Sequence, residues 1–144
     1  MIKVLFICHG NICRSPMAEF VFRDMVRRQG LGDQFHIASA ATSREEIGNS
    51  IYPPAKRKLA QHGINSDGHR ARQLTKKDYE EYDYLLAAEQ YNIRNMMRIL
   101  GSDPQNKSAA CLISLVVRVI LMIRGTVVIL KLLTGISMRD VKHC

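Results

Sequence analysis

The sequence lacks a long apolar run, a cysteine framework and a metal-binding pattern. Its apolar segment 108–136 is broken by charges, and the longest uncharged run there is ten residues, half of the roughly twenty that a membrane-spanning helix needs. Of the four cysteines, Cys8 and Cys13 lie within one short segment, which does not resemble a disulfide framework. His62, His69 and the cysteines lack metal-site spacing. We therefore expect no membrane span, no metal and no cofactor.

Acidic residues are scarce, above all at the C-terminal end. Residues 1–107 contain 16 Lys plus Arg and 12 Asp plus Glu, whereas residues 108–144 contain 5 and 1, so each part has a net charge of +4. The basic clusters 56–58 and 76–77 fall in predicted helices, where solvated faces explain them better than a nucleic-acid surface. No nucleic-acid partner is predicted, and a basic surface would attract phosphorylated, acidic substrates.

The hydrophobic pattern alternates between strands and helices. It predicts strands 3–8, 36–40 and 84–88, and helices 16–29, 53–62, 75–82 and 89–100. Such alternation predicts an α/β protein with a parallel sheet and a ligand at the carboxyl ends of its strands. The 144 residues suffice for one domain, and a strand beginning at residue 3 leaves no signal peptide before it, so a cytoplasmic protein is expected.

A short polar loop joins the first strand to the first helix, with the sequence Cys8-His9-Gly10-Asn11-Ile12-Cys13-Arg14-Ser15. A loop that enters a helix N-terminus offers unpaired N–H groups and a positive dipole end, which together bind anions. These groups and Arg14 would stabilise a Cys8 thiolate, and Arg14 could hold two phosphoryl oxygens at once. Ser15 could donate a hydrogen bond to the sulfur. The alternative is a buried strand-end Cys8 with a solvated Arg14.

The loop is similar to the Cys-x-Gly-Asn-x-Cys-Arg-Ser pattern of low-molecular-weight protein tyrosine phosphatases. The resemblance covers about residues 2–107, and further matching segments lie at 15–19, 39–43, 46–49, 69–74 and 101–104. It implies the family's three-layer, doubly wound parallel α/β sheet, described as phosphotyrosine-phosphatase-I-like. It also implies hydrolysis of phosphotyrosine in proteins through a phosphocysteine, without a cofactor.

The resemblance also implies roles for individual residues. Cys8 would be the nucleophile and Arg14 would clamp the transition state. The loop backbone, His9, Gly10, Asn11, Ile12, Cys13 and Ser15, would bind the phosphate. Asn11 would hold the loop in shape with a buried histidine, matched by His69, and with serines matched by Ser39 and Ser43. Cys13 would form a reversible disulfide with Cys8; a packed small hydrophobe is the open alternative.

The resemblance ends in the tail, residues 108–144. The family's general acid lies near its C-terminus in an Asp-Pro-aromatic-Tyr segment, and this chain has none. Asp103-Pro104 matches an earlier family segment and is followed by Gln105, and the one later acid is Asp140. No residue, Glu89 included, is assigned as general acid. Losing that group typically costs about 10²- to 10⁴-fold in rate, and the apolar, Pro-free tail has the pattern of an aggregating segment.

A shifted reading frame would explain the tail. If each residue's third base in 121–131 is joined to the next residue's first two bases, the codons permit Asp-Asp-Pro-Trp-Tyr-Ser-Gly-Asp-Phe-Glu. This is a family-like acid segment. We therefore hypothesise that a one-base shift near Lys107 replaced the family C-terminus, which the gene's nucleotide sequence would test.

Two other functions remain open at this point. An arsenate reductase shares the fold and loop but relays a disulfide through further cysteines, for which Cys111 and Cys144 are the candidates. A non-catalytic phosphate-binding module would bind a phosphorylated partner without turnover. The substrate protein and the oligomeric state are not predicted.

Overall fold

The computed structural model describes residues 1–110 of the chain. Its strands are β1 (Ile2–Cys8), β2 (Phe35–Ala41), β3 (Tyr84–Ala87) and β4 (Ser108–Ala110). Its α-helices are α1 (Arg14–Arg28), α2 (Pro53–Gln61), α3 (Lys76–Glu81) and α4 (Gln90–Leu100), and a 3-10 turn spans Gly32–Gln34. Every predicted helix and strand is present, with bounds shifted by at most two residues.

The four strands form one parallel sheet in the order β2-β1-β3-β4. Cys8, at the end of β1, lies opposite Ala41, the last residue of β2, while Ile7 lies opposite Ala87, the last residue of β3. The carboxyl ends of the three strands therefore meet at one edge of the sheet, where ligands of such folds bind.

Strand β1 is buried on both faces, because successive side chains of a strand point to opposite sides. Val4 and Phe6 belong to a cluster with residues of α1 and α2, and Leu5 and Ile7 belong to a second cluster with residues of β3 and α4. The sheet thus lies between two helical layers, which confirms the expected three-layer α/β fold.

Helix α1 begins at Arg14, two residues before its predicted start. Pro16 is its third residue, and the first N–H groups of a helix have no partner within the helix. The proline therefore costs no hydrogen bond, and the helix extends back to the loop. This places Arg14 and Ser15 in the first turn, where their side chains can reach the end of β1.

Strand β4 was not among the predicted strands, and it consists of the first three residues of the tail. Asp103 fixes the turn before it, because its carboxylate accepts hydrogen bonds from the Tyr79 hydroxyl (2.7 Å) and from the backbone N–H groups of Lys107 (2.8 Å) and Ser108 (3.0 Å). Burial opposes ionisation, but these hydrogen bonds outweigh it and lower the pKa of Asp103. The ionised Asp103 carboxylate thus stabilises the turn before β4.

Within residues 1–110, no helix combines the length and the apolar character needed to cross a membrane. The predictions for residues 111–144, including the shifted frame, the aggregation-prone segment and the roles of Cys111 and Cys144, lie outside the described residues.

Candidate active site

The loop between β1 and α1 curls around the thiol of Cys8. The Cys8 Sγ atom lies 2.9 Å from the Ser15 Oγ atom and accepts a hydrogen bond from the backbone N–H of Asn11 at 3.3 Å. Asn11 has a φ of 58°, in the left-handed region that asparagine tolerates better than most residues. This conformation turns the chain so that the backbone N–H of Asn11 faces the Cys8 sulfur.

The side chain of Asn11 is fully buried and organises the floor of the loop. Its Oδ1 atom accepts a hydrogen bond from the backbone N–H of Arg72 (3.2 Å), which fixes the orientation of the amide. Its Nδ2 group donates to the hydroxyls of Ser15 and Ser39, both at 2.8 Å. Every polar group of this amide is therefore used to hold the loop.

These contacts give the two serine hydroxyls a direction. The Ser39 hydroxyl donates to Oε1 of Glu19 at 2.6 Å, and this buried carboxylate also pairs with Arg23 at 2.9 Å. The Ser15 oxygen already accepts from Asn11, so its single proton is free to point at the Cys8 sulfur. The network thus presents hydrogen-bond donors to a thiolate.

Two residues predicted to support the loop bind its main-chain carbonyl groups. His69 donates from Nε2 to the backbone carbonyl of Asn11 at 2.7 Å, and its ring is half-buried, whereas the resemblance implied a buried ring. Ser43 donates its backbone N–H to the carbonyl of His9 at 3.0 Å, while its side chain accepts weakly from the N–H of Glu45. Both still join neighbouring segments to the loop.

Arg14 is held at the edge of the loop by two residues near the start of α4. Its Nη1 group donates to Oε1 of Glu89 at 2.7 Å and its Nη2 group to the hydroxyl of Tyr91 at 3.3 Å. Burial disfavours the charged form, but the hydrogen bond to Tyr91 and the negative charges of Cys8 and Glu89 outweigh this and raise the pKa of Arg14. The guanidinium is therefore a permanent positive charge beside the thiol.

A cavity of about 250 Å³ opens above the loop. It is lined by the predicted loop residues, Cys8 to Arg14, and by Glu45, Glu46 and Tyr52, which we call the mouth residues. His9 pairs with Glu45 at the rim, with 3.1 Å between Nε2 and Oε2. The mouth residues were not predicted, because tertiary packing brings them to the loop and no local pattern marks them. The matching segment 46–49 was the one available signal.

Cys8 is a free thiol, 3% exposed. The Cys8–Cys13 disulfide that the resemblance implies is therefore not formed in this structure, and its formation under oxidation stays a prediction. In the part of the chain described, no three His, Cys, Asp or Glu residues are grouped so as to hold a metal ion.

The comparisons with known proteins agree with this geometry. The family model of the low molecular weight phosphotyrosine protein phosphatases matches residues 3–114. The chain belongs to this family. The phosphatase of Sus scrofa is 47% identical over 119 residues, with 73% of this chain and 75% of the relative covered. YfkJ of Bacillus subtilis is 41% identical over 101 residues, with 70% of this chain and 65% of the relative covered.

Solved structures of this phosphatase family share the fold. The crystal structure of YfkJ has a TM-score of 0.72 at 38% identity, with 76% of this chain and 69% of that chain covered. Wzb of Vibrio vulnificus, in complex with benzylphosphonate, has a TM-score of 0.67 at 26% identity, with 76% of this chain and 72% of that chain covered. The chain is therefore a member of a family of protein tyrosine phosphatases, and the relatives do not favour an arsenate reductase or a non-catalytic module.

Proposed function

We propose that this phosphatase hydrolyses phosphotyrosine in proteins with Cys8 as the nucleophile and Arg14 as the phosphate clamp. The observation that carries the proposal is the Cys8 sulfur, which lies within hydrogen-bond distance of the Ser15 hydroxyl and the Asn11 N–H on a loop that enters a helix. That environment favours a thiolate, the reactive form of cysteine. Relatives bound to benzylphosphonate and to sulphate support a tetrahedral anion as ligand.

The reaction has two steps. The Cys8 thiolate attacks phosphorus, so that a sulfur–phosphorus bond forms as the bond from phosphorus to the phenolic oxygen breaks. Water then attacks phosphorus, the sulfur–phosphorus bond breaks, and inorganic phosphate and the thiolate result. Arg14 and the loop N–H groups stabilise the negative charge of the phosphoryl oxygens in both transition states. The Ser15 hydroxyl stabilises the sulfur as nucleophile and as leaving group.

The departing phenolate needs a proton, and this chain has no assigned donor. The sequence contains no Asp-Pro-aromatic-Tyr segment, and its one Asp-Pro is in the turn before β4, where the Asp103 carboxylate accepts three hydrogen bonds. We therefore propose a catalytic core of residues 1–107 followed by a divergent tail, 108–144, that begins with β4. We also propose a cytoplasmic location and phosphotyrosine proteins as partners, without nucleic acid or a membrane.

The experiment compares two substrates that differ in their need for a proton. With p-nitrophenyl phosphate, whose leaving group is a weak base, we expect turnover that is lost in Cys8→Ser. With phosphotyrosine, kcat/KM should be about 10²- to 10⁴-fold lower than with p-nitrophenyl phosphate, the cost of a missing general acid. Equal rates on both substrates would overturn the missing-acid proposal, and turnover that survives Cys8→Ser would overturn the role of Cys8.

A further inference from the structure

The guanidinium of Arg14 is anchored at both of its terminal nitrogens. Nη1 binds the Glu89 carboxylate and Nη2 binds the Tyr91 hydroxyl. One anchor would leave the guanidinium plane free to turn about the bond to that partner, whereas two anchors on different nitrogens fix the plane. A clamp that must meet two phosphoryl oxygens at once depends on the orientation of this plane.

Both anchors are fixed to the same rigid feature, the N-terminus of α4. Glu89 is the N-cap of this helix and forms a capping box with Asn92, in which the Glu89 N–H donates to Oδ1 of Asn92 at 2.9 Å. Asn92 is fully buried, and Tyr91 is the second residue of the helix and half-buried. A side chain in a first turn that is capped in this way has little freedom to move away from Arg14.

The two anchoring side chains, Glu89 and Tyr91, differ in how firmly each can hold the Arg14 guanidinium. The Glu89 side chain is 53% exposed, and ion pairs with an exposed partner contribute little because water competes for the charges. The Tyr91 phenol has a rigid ring with two rotatable bonds, so it loses little entropy when it holds Arg14. The hydrogen bond to Tyr91 also favours the charged form of Arg14, since it raises the pKa of the guanidinium.

We propose that Tyr91 is a positioning residue of the phosphatase reaction, whose hydroxyl, together with Glu89, orients the Arg14 guanidinium toward the phosphoryl group bound above the loop. The proposal rests on the proposed function, since it assigns Tyr91 a part in the same reaction. Tyr91 is not one of the residues that line the cavity, so it acts through Arg14.

The first test is the variant Tyr91→Phe, which removes one oxygen atom and keeps the ring. With p-nitrophenyl phosphate we expect kcat to fall about five-fold, the rate equivalent of one hydrogen bond, and KM to rise about two-fold, because the clamp holds the bound phosphoryl group and holds it more strongly in the transition state. The matched control is Tyr84→Phe, since Tyr84 is the first residue of β3 and lies at the opposite end of the strand from the site. That control should retain wild-type kcat.

A double-mutant cycle separates positioning from a general effect on folding. If Tyr91 acts through Arg14, then Tyr91→Phe should have less than a 1.5-fold effect in an Arg14→Lys background, where no guanidinium remains to be oriented. A five-fold effect in both backgrounds would overturn the proposal and assign Tyr91 a structural role. The burst amplitude of each variant counts active sites, so that a loss of folded protein is recognised.

Binding of inorganic phosphate to Cys8→Ser gives a readout that needs no turnover. Tyr91→Phe in this background should weaken phosphate binding, measured by calorimetry, by two-fold or more, and Tyr84→Phe should leave it unchanged. If the wild type shows no Cys8-dependent turnover, the proposed function fails, and the phosphate measurement still decides the link from Tyr91 to Arg14. If the wild type turns over and Tyr91→Phe equals it in kcat and in phosphate binding, the inference alone fails.

Discussion

The floor and the mouth of the active-site cavity are built differently. By the floor we mean Cys8 and Asn11 of the cavity lining together with Ser15, Ser39 and Glu19, a group that is buried and linked by hydrogen bonds of 2.6 to 3.3 Å. The mouth has exposed charges, and its pair His9–Glu45 joins side chains that are 43% and 71% exposed. Buried, fully paired networks rigidify a site, whereas exposed ion pairs contribute little. We therefore expect the floor to determine the chemistry.

The largest effect on activity is expected from Asn11→Ala, which removes the central side chain of the floor. The substitution removes three hydrogen bonds and leaves the Ser15 and Ser39 hydroxyls without their donor. Because the loop would lose its shape, we expect kcat/KM for p-nitrophenyl phosphate to fall about 10²-fold, the effect of a small misplacement of catalytic groups.

The matched control for this variant is Asn106→Ala. Asn106 also has a positive φ, 53°, but lies in the exposed turn before β4. Asn106→Ala introduces the same backbone strain without removing the Asn11 hydrogen bonds, and kcat/KM of this variant should equal that of the wild type. If both variants lose activity equally, strain and not the Asn11 network would explain the loss.

A smaller effect, on stability, is expected at the turn before β4, which lies outside both regions. Since the pKa of Asp103 is lowered from 3.8 by folding, its ionised form stabilises the protein above that pH, and this contribution is lost as the pH falls through the lowered pKa. Asp103→Asn should lower the free energy of unfolding by about 1.5 to 3 kcal/mol at pH 7.

This difference from the wild type should shrink as the pH falls below 3.8, which denaturant titrations at several pH values would show. Asp33→Asn, in the exposed 3-10 turn, is the control and should change the unfolding free energy by less than about 0.5 kcal/mol. A loss from Asp103→Asn that is independent of pH would contradict the role of the carboxylate charge.

The smallest effect is expected at the mouth. Glu45→Gln removes the charge that pairs with His9, and we expect kcat for p-nitrophenyl phosphate to change by less than about two-fold, since exposed pairs are worth little. Glu80→Gln, on the exposed face of α3, provides the comparison. A ten-fold loss in kcat from Glu45→Gln alone would mean that the mouth takes part in the chemistry.

The same contrast explains what the sequence could predict. The floor follows local patterns, because a buried strand, an eight-residue loop and a helix are consecutive in the chain. The strand and helix bounds were therefore nearly correct, and Cys8, Arg14 and Ser15 were placed together. The largest shift, two residues at the start of α1, arose because Pro16 is tolerated anywhere in a first helical turn.

The residues that were missed come from distant segments. Glu45, Glu46 and Tyr52 reach the cavity through the packing of an irregular loop, which has no periodicity to read. Tyr91 reaches Arg14 across 77 positions of the chain because β3 and β1 are adjacent in the sheet. Strand β4 is three residues long and depends on the hydrogen bonds of Asp103. A segment of this length is too short for its hydrophobic pattern to predict a strand.

We expect the floor alone to suffice for the formation of a phosphocysteine at Cys8. Rapid mixing of the full chain with p-nitrophenyl phosphate measures this step by itself, because the leaving group needs little protonation. We expect a burst of nitrophenolate that approaches one equivalent per active site, that is absent in Cys8→Ser and that is slower in Asn11→Ala. No burst from folded, soluble wild-type protein would contradict it.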